Sequence, residues 1–362
     1  MTIPTIFGLF PARQLSKRMM NVLHDPEWMG CPRAVNTKPA ILRMNSFKTL
    51  VCLSLICSTG LASAINIVWV SDQFVQGTGT SDNNGTLPNG AFGGGTGPYP
   101  DQGFLDLLTN AGHSVTRYNP PDSGNPLSAA DVSALNGYDL VILGKSVNSN
   151  AFDSAAEVSP WNEAITKPLL STNVFLSRRT RLGWFGGSGN GDSAGTFGST
   201  LTFPNLSDPV TTYLVGSASL VGDTTANAMY ETITVTANPE RGQNFVTTGN
   251  TPMPGSTIIA TATGGNYAII TVPSGTLLAG QFSSGQTLQG YRLYFAAGNQ
   301  EPSVAPENVI GNSGFENLSP ENEQMFLRAV LLAANNGVVP VPEPGTMTLA
   351  GFAGMALLRR RR

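Results

Sequence analysis

The sequence predicts an α/β fold: a mainly parallel sheet between layers of helices, with a β-rich insertion ahead of its last strand. Three observations carry this. Ile65–Val70 (INIVWV) is a continuous apolar, β-branched run, as in a strand buried on both faces, and Asp139–Leu143 (DLVIL) reads as a further strand. Short helical patterns separate successive strand patterns, which implies right-handed crossovers between parallel strands. After Trp184 the alternation gives way to a long β-rich stretch, and a strand followed by a helix closes the segment at 291–334.

Taken in order, the Ile65–Val70 strand leads into a glycine-rich loop over 77–98. Asp101 to Ala111 carries Phe104, Leu107 and Leu108 at helical spacing, and Gly112 is placed to end that helix. His113 to Tyr118 alternates like a strand. Ala129 to Leu135 is a short helix capped by Ser128, and Asp139–Leu143 is the third strand. A helix around Trp161 to Ile165 leads to a fourth strand over Pro168–Leu176. Residues 186–200, nearly all Gly, Ser, Asn and Thr, read as a loop. From about Thr232 to Gln281 the chain is β-rich, with a hairpin pairing Thr257–Ala262 and Tyr267–Val272 around Gly264-Gly265. Tyr291 to Ala296 returns as a core strand. Ser319-Pro320-Glu321 opens the last helix, with Ser319 as N-cap, Pro320 in the first turn and acids complementing the dipole.

Charge and cysteine narrow the chemistry. The 362 residues include 20 Lys and Arg against 23 Asp and Glu, a net −3 that hides an uneven distribution. Over 65–339 nine basic residues face 20 acidic ones, a net charge near −11. Such a domain repels phosphate backbones, so no nucleic-acid partner is expected. All three cysteines (Cys31, Cys52, Cys57) precede residue 65, and of two histidines only His113 follows it. Removal of a leader ending before Ile65 would therefore leave no disulfide, no thiolate ligand, no cysteine nucleophile and no multi-histidine zinc site.

Both ends read as addresses. From Met44, Lys48 supplies a positive start, Leu50 to Ile56 an apolar run, and Ala62-Ser63-Ala64 a small-x-small cleavage site. Residues 44–64 are thus expected to be a signal peptide, removed by signal peptidase after Ala64 and engaging the secretion machinery. Cys57 follows Ile56 where a lipoprotein needs a small residue, which argues against lipidation. Residues 1–43 read as a non-native or disordered extension, with translation expected to start at Met44. At the other end come Val341-Pro342-Glu343-Pro344, a short apolar stretch from Gly345 to Leu358, and Arg359, Arg360, Arg361 and Arg362. The apolar stretch is short for a spanning helix of about 20 residues, and the arginines would hold its end on the cytoplasmic side.

That order of parts over 338–362 closely resembles the PEP-CTERM sorting signal. The resemblance implies recognition by an exosortase at Pro342-Glu343-Pro344, a short transmembrane helix that passes transiently through the inner membrane, and removal of the tail. It also implies a Gram-negative host, delivery to the envelope or extracellular matrix, and association with extracellular polysaccharide.

Residues 65–337 resemble the class I glutamine amidotransferase-like, or ThuA-like, domains, a flavodoxin-like three-layer sandwich. The segments carrying this are Ile65–Asp72, LLTNAGHSVT at 107–116, DLVILGKS at 139–146 and the strand–helix close at 291–334. The family uses a cysteine at a strand–helix elbow with a histidine and an acid. Here the elbow, Gly144-Lys145-Ser146-Val147-Asn148, has no cysteine, and His113 begins a strand, at the end opposite the ligand crevice. No catalytic residues, cofactor or metal are therefore expected. Ser146 beside Lys145 is a poor Ser–Lys pair, because neighbours at a strand end point apart.

The strand carboxyl ends still converge on one candidate ligand crevice, formed by Ser71, Asp72, Lys145, Ser146, Asn148, Arg178, Arg179 and Asn299. Arg178, Arg179 and Arg181 are a third of the nine basic residues, suited either to gripping a carboxylate or an anionic sugar or to balancing the acidic surface. A carbohydrate-active hydrolase using carboxylates such as Asp72 is the alternative. Asp82-Asn83-Asn84-Gly85 and Gly189-Asn190-Gly191-Asp192 lack the full calcium-loop pattern. Gly93-Gly94-Gly95 lacks the Gly-Lys-Ser/Thr of a phosphate loop.

Overall fold

Among the described residues, five parallel strands take the spatial order 2-1-3-4-5, counted along the chain. The computed structural model describes residues 64–71, 90–93, 101–187, 192–194, 200–216, 225–228, 234–235, 238–239, 244–297, 316, 318 and 320–340. All of them belong to one compact unit, Cys57–Arg362. Asn66–Val70 (β1) is central. It is flanked by Ser114–Tyr118 on one side, with Phe92–Gly93 (β2) antiparallel outside it, so Ser114–Tyr118 is β3. On the other side Leu140–Leu143 (β4) pairs with β1, and Leu169–Ser171 (β5) with β4, both parallel.

The insertion follows. Its strands are Phe185–Gly187 (β6), Asp192–Ala194 (β7), Thr200–Thr202 (β8), Thr225–Ala228 (β9), Thr234–Val235 (β10), Asn238–Pro239 (β11), Asn244–Val246 (β12), Asn250–Pro252 (β13), Thr257–Thr261 (β14) and Tyr267–Val272 (β15). Arg292–Phe295 (β16) then returns to lie parallel to β5 and antiparallel to β15. The insertion therefore extends the parallel sheet on one side, through β15, β14, β8 and β9.

The helices are Gln102–Asn110 (α1), Ala129–Leu135 (α2), Ala155–Ser159 (α3), Val174–Ser177 (α4), Pro209–Val215 (α5) and Pro320–Ala334 (α6). Gly112, at φ +91°, ends α1 in a Schellman arrangement: its amide bonds Thr109 O, and the His113 amide bonds Leu108 O. Ser128 and Asp131 form a reciprocal capping box on α2. Helices α1 and α6 share one face of the sheet. Phe104 stacks on Trp69 at 5.4 Å and meets Phe326 at 5.2 Å, and Phe326 meets Phe295 at 5.5 Å.

Most of the expected elements stand, with three corrections. The fourth strand is only Leu169–Ser171, because Asn173 caps the Phe175 amide and turns 174–177 into helix. The helix near Trp161 begins earlier, at Ala155, and Pro160–Ala164 is a π-helical turn. The stretch read as a loop at 186–200 supplies strand residues in β6, β7 and β8, so β structure begins at Phe185 rather than near Thr232. The hairpin lies as expected, with Gly264 and Gly265 at positive φ and bulges displacing its register.

Arg292 is fully buried at the start of β16 and donates to the carbonyls of Lys167, Trp161 and Ile165 at 2.9–3.0 Å. These are carbonyls around the end of the π turn, so the guanidinium acts as its C-terminal cap. Burial pushes this guanidinium down to about 9, and the carbonyl cage partly offsets that desolvation. Among the described residues no helix is long and apolar enough to cross a membrane. The C-terminal apolar stretch, Ala62 and residues 1–43 lie outside the described residues.

Candidate functional site

In an open α/β sheet, ligands bind beyond the strand carboxyl ends, where the strand order reverses. Here that point lies between β1 and β4. Ser71 follows β1, and Gly144, Lys145 and Ser146 follow β4. Thr172 and Asn173 follow β5, and Arg117 lies near the end of β3.

The floor of this crevice is a hydrogen-bonded cluster centred on Asp101, the residue before α1. Arg117 Nη1 donates to Asp101 Oδ1 at 2.6 Å and to Ser71 Oγ at 2.9 Å. Arg117 Nη2 donates to Gln102 Oε1 at 3.1 Å. Trp69 Nε1 donates to Asp101 Oδ2 at 2.6 Å, and Ser146 Oγ to the same oxygen at 3.2 Å. Ser71 Oγ and Ser146 Oγ are 3.4 Å apart. The ion pair is dry, with side chains 1% and 0% exposed. Gly144 permits this packing: a Cβ there would lie 2.7 Å from Trp69 Nε1 and 2.9 Å from Val70 O.

The turn after β4 is fastened from β5. Asn173 Nδ2 donates to Val147 O at 3.0 Å and Lys145 O at 3.2 Å, while its Oδ1 accepts from the Phe175 amide. Lys145 and Ser146 diverge, as expected of neighbours at a strand end. Ser146 joins the Asp101 cluster, and Lys145 Nζ lies 4.4 Å from the Phe175 ring centre. Both are buried, 2% and 3% exposed, so they belong to the floor of the crevice rather than to an open rim.

The half-buried Arg178 places its guanidinium 5.2 Å from the same Phe175 ring. Arg179 is half-buried beside it, and Arg181 reaches back to Ser149 O, Thr180 O and Asn150 Oδ1. Burial first, then the neighbouring Arg178 charge, hold the Arg181 guanidinium below its ordinary value. Asn148 caps the short 3₁₀ turn Ser149–Phe152 through the Asn150 amide. Asp72 and Asn299 fall outside the described residues, as do Asp82–Gly85, Gly189–Gly191, Gly94 and Gly95. Gly93 lies in β2, paired with Arg117.

His113 is buried at the start of β3, the amino end of the sheet, and burial lowers its pKa. Beside the crevice, Glu157 ties three segments together. Its carboxylate accepts from the Gly124 amide, the Asp153 amide at 3.1 Å and Ser154 Oγ at 2.7 Å. Burial acts to raise Glu157, but these bonds outweigh it and hold the group below the usual carboxylate range. Burial, with Glu157 as acceptor and like charge, raises Asp153.

Sequence reading missed Asp101 and Arg117. Asp101 reads as the start of a helix and Arg117 as one position of an alternating strand. The signal available was Arg117 itself, a lone charge in a strand predicted to border the central one, which needs a buried counter-ion.

Residues 340–362 match the PEP-CTERM protein-sorting motif. The chain thus carries the mark of an exported, exosortase-sorted protein. No curated protein matches the chain.

Proposed function

We propose that this exported protein is delivered to the bacterial envelope or its exopolysaccharide, where its α/β domain serves as a non-catalytic binding module of glutamine amidotransferase-like descent. The sorting motif at 340–362 carries the reading, since it brings the chain to an exosortase and commits its folded part to the cell exterior. The strand order 2-1-3-4-5 of the parallel core supports the amidotransferase-like assignment. The non-catalytic part is supported by the crevice floor. The Asp101 carboxylate is engaged by Arg117, Trp69 and Ser146, so the acid nearest Ser146 is bound into the fold. A general base needs a lone pair directed at a substrate proton.

The test pairs location with turnover. Intact masses of the native protein from envelope and medium fractions should fit a start at Ile65 and an end near Pro342-Glu343-Pro344. Incubation with the host polysaccharide should release no reducing ends. Retention of 345–362 in both fractions would refute sorting, and turnover lost on Asp72→Ala would replace this reading with a hydrolase.

A further inference from the structure

The last helix carries the chain to the pole of the sheet opposite the crevice. Midway along α6, Phe326 meets Phe295 at the carboxyl end of β16. Past the helix end, Gly337 lies against the ring of Tyr291, the residue before β16. The helix therefore runs back along β16, which points the same way as β5, β4 and β1. Its stop is rigidly built. The Asn336 amide bonds Ala333 O at 2.8 Å and the Gly337 amide bonds Leu332 O at 2.9 Å, a Schellman stop with Asn336 at φ +54° and Gly337 at φ +79°. A Cβ on Gly337 would run into the Tyr291 ring, so glycine is required there. Asn335 Nδ2 then donates to Val338 O at 2.7 Å, and Val339 packs against the core. Pro342 is the third residue beyond Val339, hence at most about 10 Å from it, the diameter of one helix. The chain also enters the domain at this pole, where the Ser114 amide bonds Ile65 O and the Asn66 amide bonds Asp139 Oδ2. Only β4 and β5 separate β1 from β16, so the two crossings lie about 14 Å apart at ordinary strand spacing.

We infer that the amino-end pole of the sheet, around Thr166 and Gln289, is the surface against which the exosortase docks when it reads Pro342-Glu343-Pro344, leaving the crevice at the other pole uncovered. The inference rests on exosortase sorting and not on the non-catalytic reading of the crevice. An enzyme that closes on three residues so near a packed one must occupy the space beside the domain, because the tether leaves it no room to stand off. Thr166 and Gln289 are exposed and lie shortly before β5 and β16, and Gly290 packs against Thr166 O. They belong to segments remote in sequence from the motif, so contact with them reports the pole rather than the tail. Anionic lipid headgroups are the disfavoured neighbour, since they repel a domain of net charge near −11.

The test puts the photoreactive residue benzoylphenylalanine in place of Thr166 or Gln289 or, as the crevice-side control, the exposed Asn150. The full chain is made in a host carrying an epitope-tagged exosortase, illuminated, and blotted for adducts of the tagged enzyme. The inference expects adducts from the Thr166 and Gln289 positions and none from Asn150. Inserting a twelve-residue Gly/Ser linker after Pro340 should lower those adducts about tenfold, since effective concentration falls roughly as the −3/2 power of tether length. A chain that loses its tail normally yet gives no adduct from either pole position would overturn the inference while leaving sorting in place. Equal adducts from Asn150, or adducts indifferent to the linker, would overturn it as well. Adducts with lipid alone would replace the enzyme by the bilayer as the neighbour of this pole. A chain that keeps residues 345–362 and gives no adduct would remove exosortase sorting itself, and the inference with it.

Discussion

Replacing Arg117 by Met leaves the Asp101 carboxylate buried with Trp69 Nε1 and Ser146 Oγ as its side-chain donors among the described residues. The lost contact is a 2.6 Å charge-assisted bond between side chains 1% and 0% exposed. Two unit charges about 4 Å apart attract by about 4 kcal/mol at an effective dielectric near 20. Removing one member of a buried pair usually costs about 3–5 kcal/mol, because the other is stranded. Arg117 also bonds Ser71 and Gln102, so the upper half of that range is expected. Replacing both members, as Asp101→Leu with Arg117→Met, removes the stranded charge. It should cost less than either single change, with about 1–3 kcal/mol remaining for the orphaned Trp69 N–H. Urea unfolding followed by tryptophan fluorescence measures all four corners of this cycle, and the intact pair should show a coupling of at least about 2 kcal/mol. Single costs below about 1 kcal/mol, or strict additivity, would refute the account of the crevice floor as a dry, mutually dependent cluster.

Further outcomes follow from neighbouring geometry. Gly144→Ala should destabilise by about 1–3 kcal/mol, since its methyl must displace the Trp69 indole or the β1 backbone; a melting temperature within a degree of wild type would contradict this. Asn173→Ala removes the bonds to Lys145 O and Val147 O and the cap on Phe175, at about 2–4 kcal/mol in total, and amide exchange in 144–147 should quicken. Glu157 sits below the usual carboxylate range, so its contribution is present above the unfolded-state value and is lost as pH falls through the lower folded one. The stability gap between wild type and Glu157→Gln should therefore be full at pH 7 and close on acidification, and a gap unchanged at pH 3 would contradict the assignment. Arg292→Met should unfasten the π turn from β16, raising proteolysis near Pro160–Ala164.

Much of the fold is legible because burial on both sheet faces forces uninterrupted apolar runs. INIVWV and LVIL could hardly be read otherwise, and the Ser128 cap and the Gly112 stop are local chemistry. Where the reading slipped, tertiary context had overridden composition. The Gly- and Ser-rich stretch around 186–200 has weak strand propensity, yet contributes strand residues because partners from β13, β12 and β14 are delivered to it. Asn173 converts an apolar run into helix by a single cap, which no periodicity reports. In the crevice, Lys145 and Ser146 could be placed at a strand end, but their burial could not be foreseen. It depends on Asp101, 45 residues from Ser146 in the chain, and on β3 lying beside β1.

The adjacency of β5 and β16 has a consequence for how the chain is assembled. Ser171 and Tyr294 are paired neighbours in the sheet, yet the whole insertion separates them in sequence. A loop of that length is slow to close, and contacts across it set the pace of assembly. As the chain is made from its amino end, β1 to β5 exist long before β16 and α6 do, so one edge of the parallel layer must wait unpaired. The last helix ends at Ala334, six residues before the sorting motif begins at 340. Completion of α6, which follows the last sheet strand β16, and appearance of the sorting segment thus fall almost together. A chain truncated within 298–319 would lack both α6 and the sorting motif, so a chain that is sorted is one that also carries the helix packed on Phe104 and Phe295.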